Sequence, residues 1–291
     1  MKIVKFQGGL GNQMFQYAFL LALKKASNED VYIDISEYSR HKQHNGYELK
    51  RVFGICNEIA SIHDIWKYTC IFRNDIINRI YIKISRFRKS DIKEINSYKY
   101  LPGILTEHRD GYYDGYWQCF KYFDCCSDDI IRYFTFVPAT DSQNCDIIER
   151  INNDNKSVSL HIRRGDYLKS DIYRGLCGIE YYTKAILYVR SLLGDGIFFY
   201  IFSDDIQWCR ENILCLLNKD KFIFVDWNSE SQSFRDMQLM SLCRANIIAN
   251  SSFSWWAAYL NKRNDKIVIA PEKWVNLPLE YRMQLPCWKT F

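Results

Sequence analysis

Apolar positions in this chain recur with two periods, and the switch between them is most regular in the second half. Ile3-Val4-Lys5-Phe6 reads as a strand. It runs into Gln7-Gly8-Gly9-Leu10-Gly11-Asn12-Gln13, after which an apolar helix is predicted over about 14–24. A second strand covers 31–35. The chain then turns polar and irregular to about 57, and helical patterns rich in Arg and Lys follow at 59–71 and 76–87. Residues 111–118 read as a strand with alternating aromatics, in which a core role for Tyr116 and Trp117 outweighs a sugar-stacking one.

A helix over about 141–151 ends in Asn152-Asn153-Asp154-Asn155-Lys156, a polar run that predicts a boundary between domains 1–153 and 154–291. Beyond it the rhythm becomes strict. Val158, Leu160 and Ile162 alternate with Ser159 and His161 as a strand. Helices are predicted over 179–193, 206–217, 233–243 and from near Ser252, with strands at 197–202, 222–225, 246–249 and 266–269 between and after them. Such β-α alternation predicts an α/β domain with a parallel sheet and right-handed crossovers.

In an open parallel sheet, ligands bind just past the carboxyl ends of the strands. The first strand of the second half is followed by Arg163, Arg164, Gly165 and Asp166. The next strands are followed by Ser203-Asp204-Asp205, by Asp226-Trp227, and by Asn250-Ser251-Ser252. A cationic fork, several carboxylates and a hydroxyl-bearing helix start would therefore share one edge. Planar guanidinium groups suit a phosphate oxygen pair, and the start of a helix after Ser251 or Ser252 suits an anion. Each group also has a plainer reading. Asp204 or Asp205 can simply cap the helix after it, Ser251 or Ser252 likewise, and Trp255-Trp256 is more often core than platform. The Gly8–Gly11 loop lacks the third glycine of a dinucleotide fingerprint. Asp204 and Asp205 are adjacent, without the intervening residue of an Asp-x-Asp metal site.

Composition narrows this picture. In 291 residues, 48% are hydrophobic, enough for two cores, and a net charge of +5 spread among acids argues against a nucleic-acid partner. No run approaches the ~20 apolar residues of a membrane span, and the N-terminus is too polar for a signal peptide. The eleven cysteines are odd in number and form no C-x-x-C pair, so they read as reduced thiols of a cytoplasmic protein rather than zinc ligands. The basic helical faces at 59–87 read as solvated, with a membrane-surface role as the lesser alternative.

Five segments together carry a resemblance: Gly8-Gly-Leu-Gly-Asn-Gln-Met-Phe-Gln16, Gly115-Tyr-Trp-Gln118, His161-Ile-Arg-Arg-Gly-Asp166, Phe202-Ser-Asp-Asp205 and Ile248-Ala-Asn-Ser-Ser-Phe-Ser-Trp-Trp256. In this order they resemble the bacterial α1,2-fucosyltransferases that use GDP-fucose, nearly end to end. The resemblance implies a GT-B-like fold, two Rossmann-like domains facing across a cleft, with the acceptor side in 1–153 and the donor side in 154–291. It implies inverting transfer of fucose to the 2-hydroxyl of a galactoside without a metal or other cofactor. The acceptor would be a terminal-galactose glycan of an O-antigen or capsule, lipid-linked, handled in the cytoplasm with peripheral contact at the inner membrane face. It further implies that Arg163 holds the donor's β-phosphate with Arg164 also at the donor site, that Ser251 and Ser252 bind phosphate, and that His161 and Asp236 contact the guanosine end. Asp166 and Asp204 or Asp205 would order the arginines, and Asn12 would face the fucose. The general base stays open among Asp166, Asp171, His41, His44 and Glu107.

Overall fold

A computed structural model describes residues 1–40, 45–69, 91–94, 100–107, 109–217 and 220–291. The expected helix over 76–87 and the candidates His41 and His44 lie outside the described residues. The chain divides into two compact units, Met1–Thr135 and Phe136–Phe291, so the split falls before the helix over 142–152 rather than after it at 153/154.

The first unit is built on four parallel strands, β1 (Lys2–Lys5), β2 (Val31–Asp34), β3 (Asp91–Lys93) and β4 (Gly111–Asp114), in the order β2-β1-β4-β3. Helix α1 (Leu10–Ser27) buries Met14, Phe15, Ala18, Phe19, Ala22 and Leu23 along one stripe. It starts four residues earlier than the apolar pattern predicts, because Gly9 caps it in an extended conformation and accepts from the amides of Asn12 and Gln13. Asn12 therefore sits on the first helical turn, not in a loop. The polar residues that hid this start are buried and bonded. Gln13 accepts from the Glu48 amide at 2.8 Å and donates to the Gly46 carbonyl at 2.8 Å. Gln16 exchanges hydrogen bonds with the backbone of Gln7 and also donates to the Gly115 carbonyl. A buried amide bonded in this way escapes the usual desolvation penalty, so much of the Gly8–Gln16 motif secures loops to the helix.

Helix α2 (Ile62–Thr69) falls inside the range predicted for 59–71 and is opened by Ser61, whose hydroxyl accepts from the Asp64 amide. The aromatic strand predicted over 111–118 ends at Asp114. The alternation continues, but the backbone turns at Gly115, and Trp117 adopts a left-handed φ of 55°. That turn puts the Trp117 ring in the core, stacked on Phe19 at 4.2 Å. Glu94 holds the turn by accepting from the amides of Tyr116 and Trp117, and burial lifts its carboxyl to about 7. Helix α3 (Ser127–Tyr133) closes the unit.

The second unit opens with α4 (Ser142–Asn152), capped by Asp141. Six parallel strands follow: β5 (Ser157–Ile162), β6 (Phe198–Ser203), β7 (Lys221–Phe224), β8 (Ala245–Ile247), β9 (Ile267–Ala270) and β10 (Lys289–Thr290). Between them run α5 (Ile179–Leu193), α6 (Ile206–Asn212), α7 (Phe234–Leu242) and α8 (Ser252–Leu260). These elements match the predicted ones closely, except that α6 gives way to a 3₁₀ turn at Leu214–Leu217 and that β10, only two residues long, has no periodicity to announce it. Strand order is β10-β9-β8-β5-β6-β7. Read from the β7 edge this is 3-2-1-4-5-6, the order of a dinucleotide-binding sheet. The sheet reverses direction of growth between β5 and β8, the point at which sheets of this order take their ligands. Helix α4 packs on α7, which is why it belongs to this unit. Trp255 and Trp256 are fully buried core residues.

Among the described residues no helix is long and apolar enough to cross a membrane.

Candidate active site

Most of the sequence-selected residues of the second unit gather at the switch point, where β5 ends in His161-Ile162-Arg163-Arg164 and β8 leads into Asn250-Ser251-Ser252. The adjacent aspartates after β6 separate into two roles. Asp204 accepts from the Arg164 amide at 2.8 Å with one oxygen and pairs with Arg163 Nη1 at 3.2 Å with the other. Asp205 caps α6, accepting from the Trp208 amide at 3.0 Å, and its second oxygen accepts from Arg164 Nε at 3.1 Å. Each arginine thus has its own carboxylate. Arg163 gains a second one, Asp166, at 2.7 Å, and lies over the Tyr167 ring at 5.5 Å. The Arg164 guanidinium stacks over Trp208 at 4.0 Å. Such stacking with ion pairing preorganises a planar fork. Arg163 keeps about a third of its side chain accessible, at 32%, while both carboxylates hold it.

Gly165 is needed at this corner. A Cβ built there would come within 2.7 Å of the Asp204 carboxylate oxygen.

Across the switch point, Ser251 is the cap of α8: its hydroxyl accepts from the Phe253 amide at 3.3 Å and its side chain is buried. A cap of this type contributes about 1 kcal/mol, and the positive end of the helix dipole lies beside it at the tip of β8. Ser252 is the first residue of the helix proper. His161 is buried with its ring 6.1 Å from that of Phe253, and its Nδ1 has no hydrogen-bond partner. Burial, helped by Arg163, pushes its pKa down to about 3, so the imidazole is neutral throughout the physiological range.

Asp236 stands in a different network. It sits in the first turn of α7 and accepts from Asn228 Nδ2 at 2.8 Å; Asn228 in turn bonds Asn144, which also accepts from Trp227 Nε1. Burial raises the Asp236 carboxyl to about 7, with Asp226 adding to the effect and the Asn228 bond opposing it. Asn12 belongs to the first unit, where its side-chain oxygen accepts from Gln118 Nε2 at 2.7 Å. Of the base candidates, Asp171 is a solvated loop carboxylate paired with Arg174, and Glu107 is exposed beside Arg109. Among the described residues no group of three His, Cys, Asp or Glu side chains is placed to hold a metal ion.

Several contacts that shape this site are not legible in the sequence. Tyr167 donates to the Asn250 carbonyl at 3.2 Å, Trp208 supports Arg164, and Asn250 links the strand tip to Trp274. Asn250 belongs to the strand-tip run that the sequence marks, but its partners, like that of Trp208, lie far away along the chain.

Three kinds of likeness accompany this geometry. The model of a family described as glycosyl transferase family 11 matches residues 1–289. Among curated relatives, an alpha-1,2-colitosyltransferase of Escherichia coli is 34% identical over 280 residues, covering 94% of this chain and 91% of the relative. The O-antigen biosynthesis glycosyltransferase WbnK of Escherichia coli is 32% identical, covering 97% of each. The galactoside 2-alpha-L-fucosyltransferase SEC1 of Bos taurus is 25% identical, covering 88% of this chain and 63% of the relative. A solved structure of Arabidopsis thaliana FUT1 with GDP has a TM-score of 0.52 at 11% identity, covering 92% of this chain and 69% of that one. At that identity the likeness concerns the fold, which is α/β and GT-B-like, each unit built on its own parallel sheet.

Proposed function

The chain belongs to glycosyl transferase family 11, and from that premise we propose that it transfers L-fucose from GDP-fucose, with inversion, to the 2-hydroxyl of a galactoside in a surface glycan of the O-antigen or capsule kind. The observation that carries this reading is Arg163, held by Asp204 and Asp166 at the end of β5, across the switch point from the capped start of α8. As the bond from fucose to the β-phosphate breaks, negative charge grows on the GDP leaving group. A fixed guanidinium and a helix dipole stabilise that charge more in the transition state than in the bound donor. Arginine performs the neutralisation that a divalent ion supplies elsewhere, so transfer is expected to survive chelation. The second unit takes the donor and the first the acceptor. His161, Arg164, Ser251 and Ser252 complete the donor contacts. The acceptor is a terminal-galactose glycan on a lipid carrier, and the protein works in the cytoplasm, touching the membrane surface peripherally.

A second donor is supported by the 34% identity to an alpha-1,2-colitosyltransferase. Colitose differs from fucose by one hydroxyl, and a grip on diphosphate does not discriminate between them. A panel of terminal-galactose disaccharides offered with GDP-fucose or GDP-colitose, with and without EDTA, decides the matter. The expected product is a 1→2-linked deoxysugar, formed at the same rate with chelator. Absence of both transfer and hydrolysis with either donor would refute the assignment.

The Asp236 carboxyl adds a pH signature. If it accepts N–H bonds from the guanine edge, the donor needs it ionised. Its folded pKa of about 7 means that the ionised fraction grows as pH rises through neutrality. GDP affinity is therefore expected to climb between about pH 6 and 8 and then level off, whereas Asp236→Asn should give a weaker and flat profile. Calorimetric titration across pH tests this, and a flat wild-type profile would remove Asp236 from the base-binding role. The same shift carries a stability cost. A carboxyl whose folded pKa exceeds its unfolded value loses stability as pH rises from about 4 towards 7, so the Asn variant should melt higher than the wild type at alkaline pH and equally at pH 4.

A further inference from the structure

The β5–β8 ladder stops at Leu160 and Ile247. Arg163 and the α8 cap both lie beyond it, where the two strands part, so sheet hydrogen bonding does not set the spacing between guanidinium and helix end. The carbonyls near the parting strands are taken up by tyrosines instead. Tyr182 on α5 donates to the His161 carbonyl at 3.1 Å, and its neighbour Tyr181 to the Ile248 carbonyl at 2.6 Å. Both are buried and serve as static ties beneath the parting strands. Tyr167 lies at the mouth. Its hydroxyl reaches from the β5 side to the Asn250 carbonyl at 3.2 Å, next to the cap Ser251, while its ring carries Arg163 at 5.5 Å and stacks on Tyr173 at 4.5 Å.

We infer that Tyr167 is a positioning residue: a strut across the mouth of the switch point that sets Arg163 relative to the start of α8. The inference rests on the donor-binding reading above and deepens it. Both feet of the strut are anchored. Asn250 donates to the Trp274 carbonyl at 3.1 Å and accepts from the Cys177 thiol. The loop carrying Tyr173 is gripped by Asn276, whose amide donates to the Ile172 carbonyl at 2.8 Å and whose side chain donates to the carbonyls of Asp171 and Arg174 at 2.9 and 3.0 Å. The last segment of the chain thus braces the phosphate corner from outside. Stabilising charge that develops only in the transition state depends on the distance and direction of its donors, whereas nucleotide binding tolerates a looser fit. A misplacement of about 1 Å can cost on the order of 10²-fold in rate.

Tyr167→Phe keeps the ring and removes the span; Tyr167→Leu removes both. For Tyr167→Phe the expected result is a kcat about tenfold lower, with donor KM and GDP Kd within about threefold of wild type, and Tyr167→Leu should be slower still. Amide hydrogen exchange in the unliganded protein should quicken in 163–168 and 249–254 while β6 stays unchanged. Tyr182→Phe serves as the static control and should lower Tm while leaving the kcat-to-KM balance intact. The strut is overturned if Tyr167→Phe keeps a kcat within about twofold of wild type, if exchange in the two tips is unchanged, or if Tm falls with exchange quickened evenly across the unit. Wild-type protein that turns over neither sugar nucleotide sinks the functional reading alone; the exchange comparison still decides the strut.

Discussion

Arg163→Ala should turn over its donor about 10²–10³-fold more slowly than the wild type, the loss expected when one preorganised donor to a developing oxyanion is removed. The fold should survive the change, because Asp166 and Asp204 are both partly exposed and can be solvated once their partner is gone. The lysine variant is the sharper comparison. Arg163 binds Asp204 through Nη1 and Asp166 through Nη2, so its plane is fixed by contacts on two nitrogens. An ammonium keeps the charge but presents a single centre on a flexible stem. It would settle between the two carboxylates and reach a phosphate poorly. Arg163→Lys is therefore expected to recover less than a tenth or so of the wild-type kcat while GDP binding is only moderately weakened. Initial rates with saturating donor, together with GDP affinity for each variant, give the two quantities. Either variant working within about threefold of wild type would remove Arg163 from leaving-group stabilisation.

Gly165→Ala is the second large effect, and it separates activity from stability. The added methyl would sit 2.7 Å from one Asp204 carboxylate oxygen and 3.4 Å from its carbon. The obstacle is the end of a short side chain, which can rotate away at little cost to the fold. Rotation carries with it the hydrogen bond to the Arg164 amide and the ion pair to Arg163. The guanidinium then loses the carboxylate that is tied to the backbone and keeps only Asp166, which is 66% exposed. A kcat lower by about 10–10²-fold follows from misorientation of this size, with Tm shifted by only a few degrees, as for a surface substitution. Kinetics and a thermal melt on the same preparation check it. A normal rate would mean that Asp204 does not orient the arginines.

The two predictions differ in how far the sequence alone reveals them. The motif from His161 to Asp166 marks Arg163 directly. The need for glycine at 165 comes from an aspartate roughly forty positions later. Similarly, the choice of helix cap was open between Asp204 and Asp205, and between Ser251 and Ser252. Both members of each pair have the right chemistry and adjacent positions; only the backbone path shows that Asp205 and Ser251 accept the cap bonds. In the first unit, α1 extends back over Gly11, Asn12 and Gln13, residues that resemble a loop when read locally. Their amides and side chains find partners in Gly9, Gly46 and Glu48. Trp117 likewise continues an alternating pattern yet leaves the strand, since Glu94 pins the turn before it.

What this chain settles through sequence alone is local: the alternation of strands and helices in the second half, the two arginines at a strand end, and the burial of its apolar stripes. These depend on periodicities of two and 3.6 residues and on side-chain chemistry, which neighbouring positions express without outside help. Strand order, and with it the place where β5 and β8 part, arises only from tertiary structure, as do the assignment of one carboxylate to each arginine and the reach of Tyr167 to Asn250. Those contacts join segments some forty to eighty positions apart. Their partners become neighbours only when the crossovers have stacked the sheet, and no local pattern encodes which distant group will arrive.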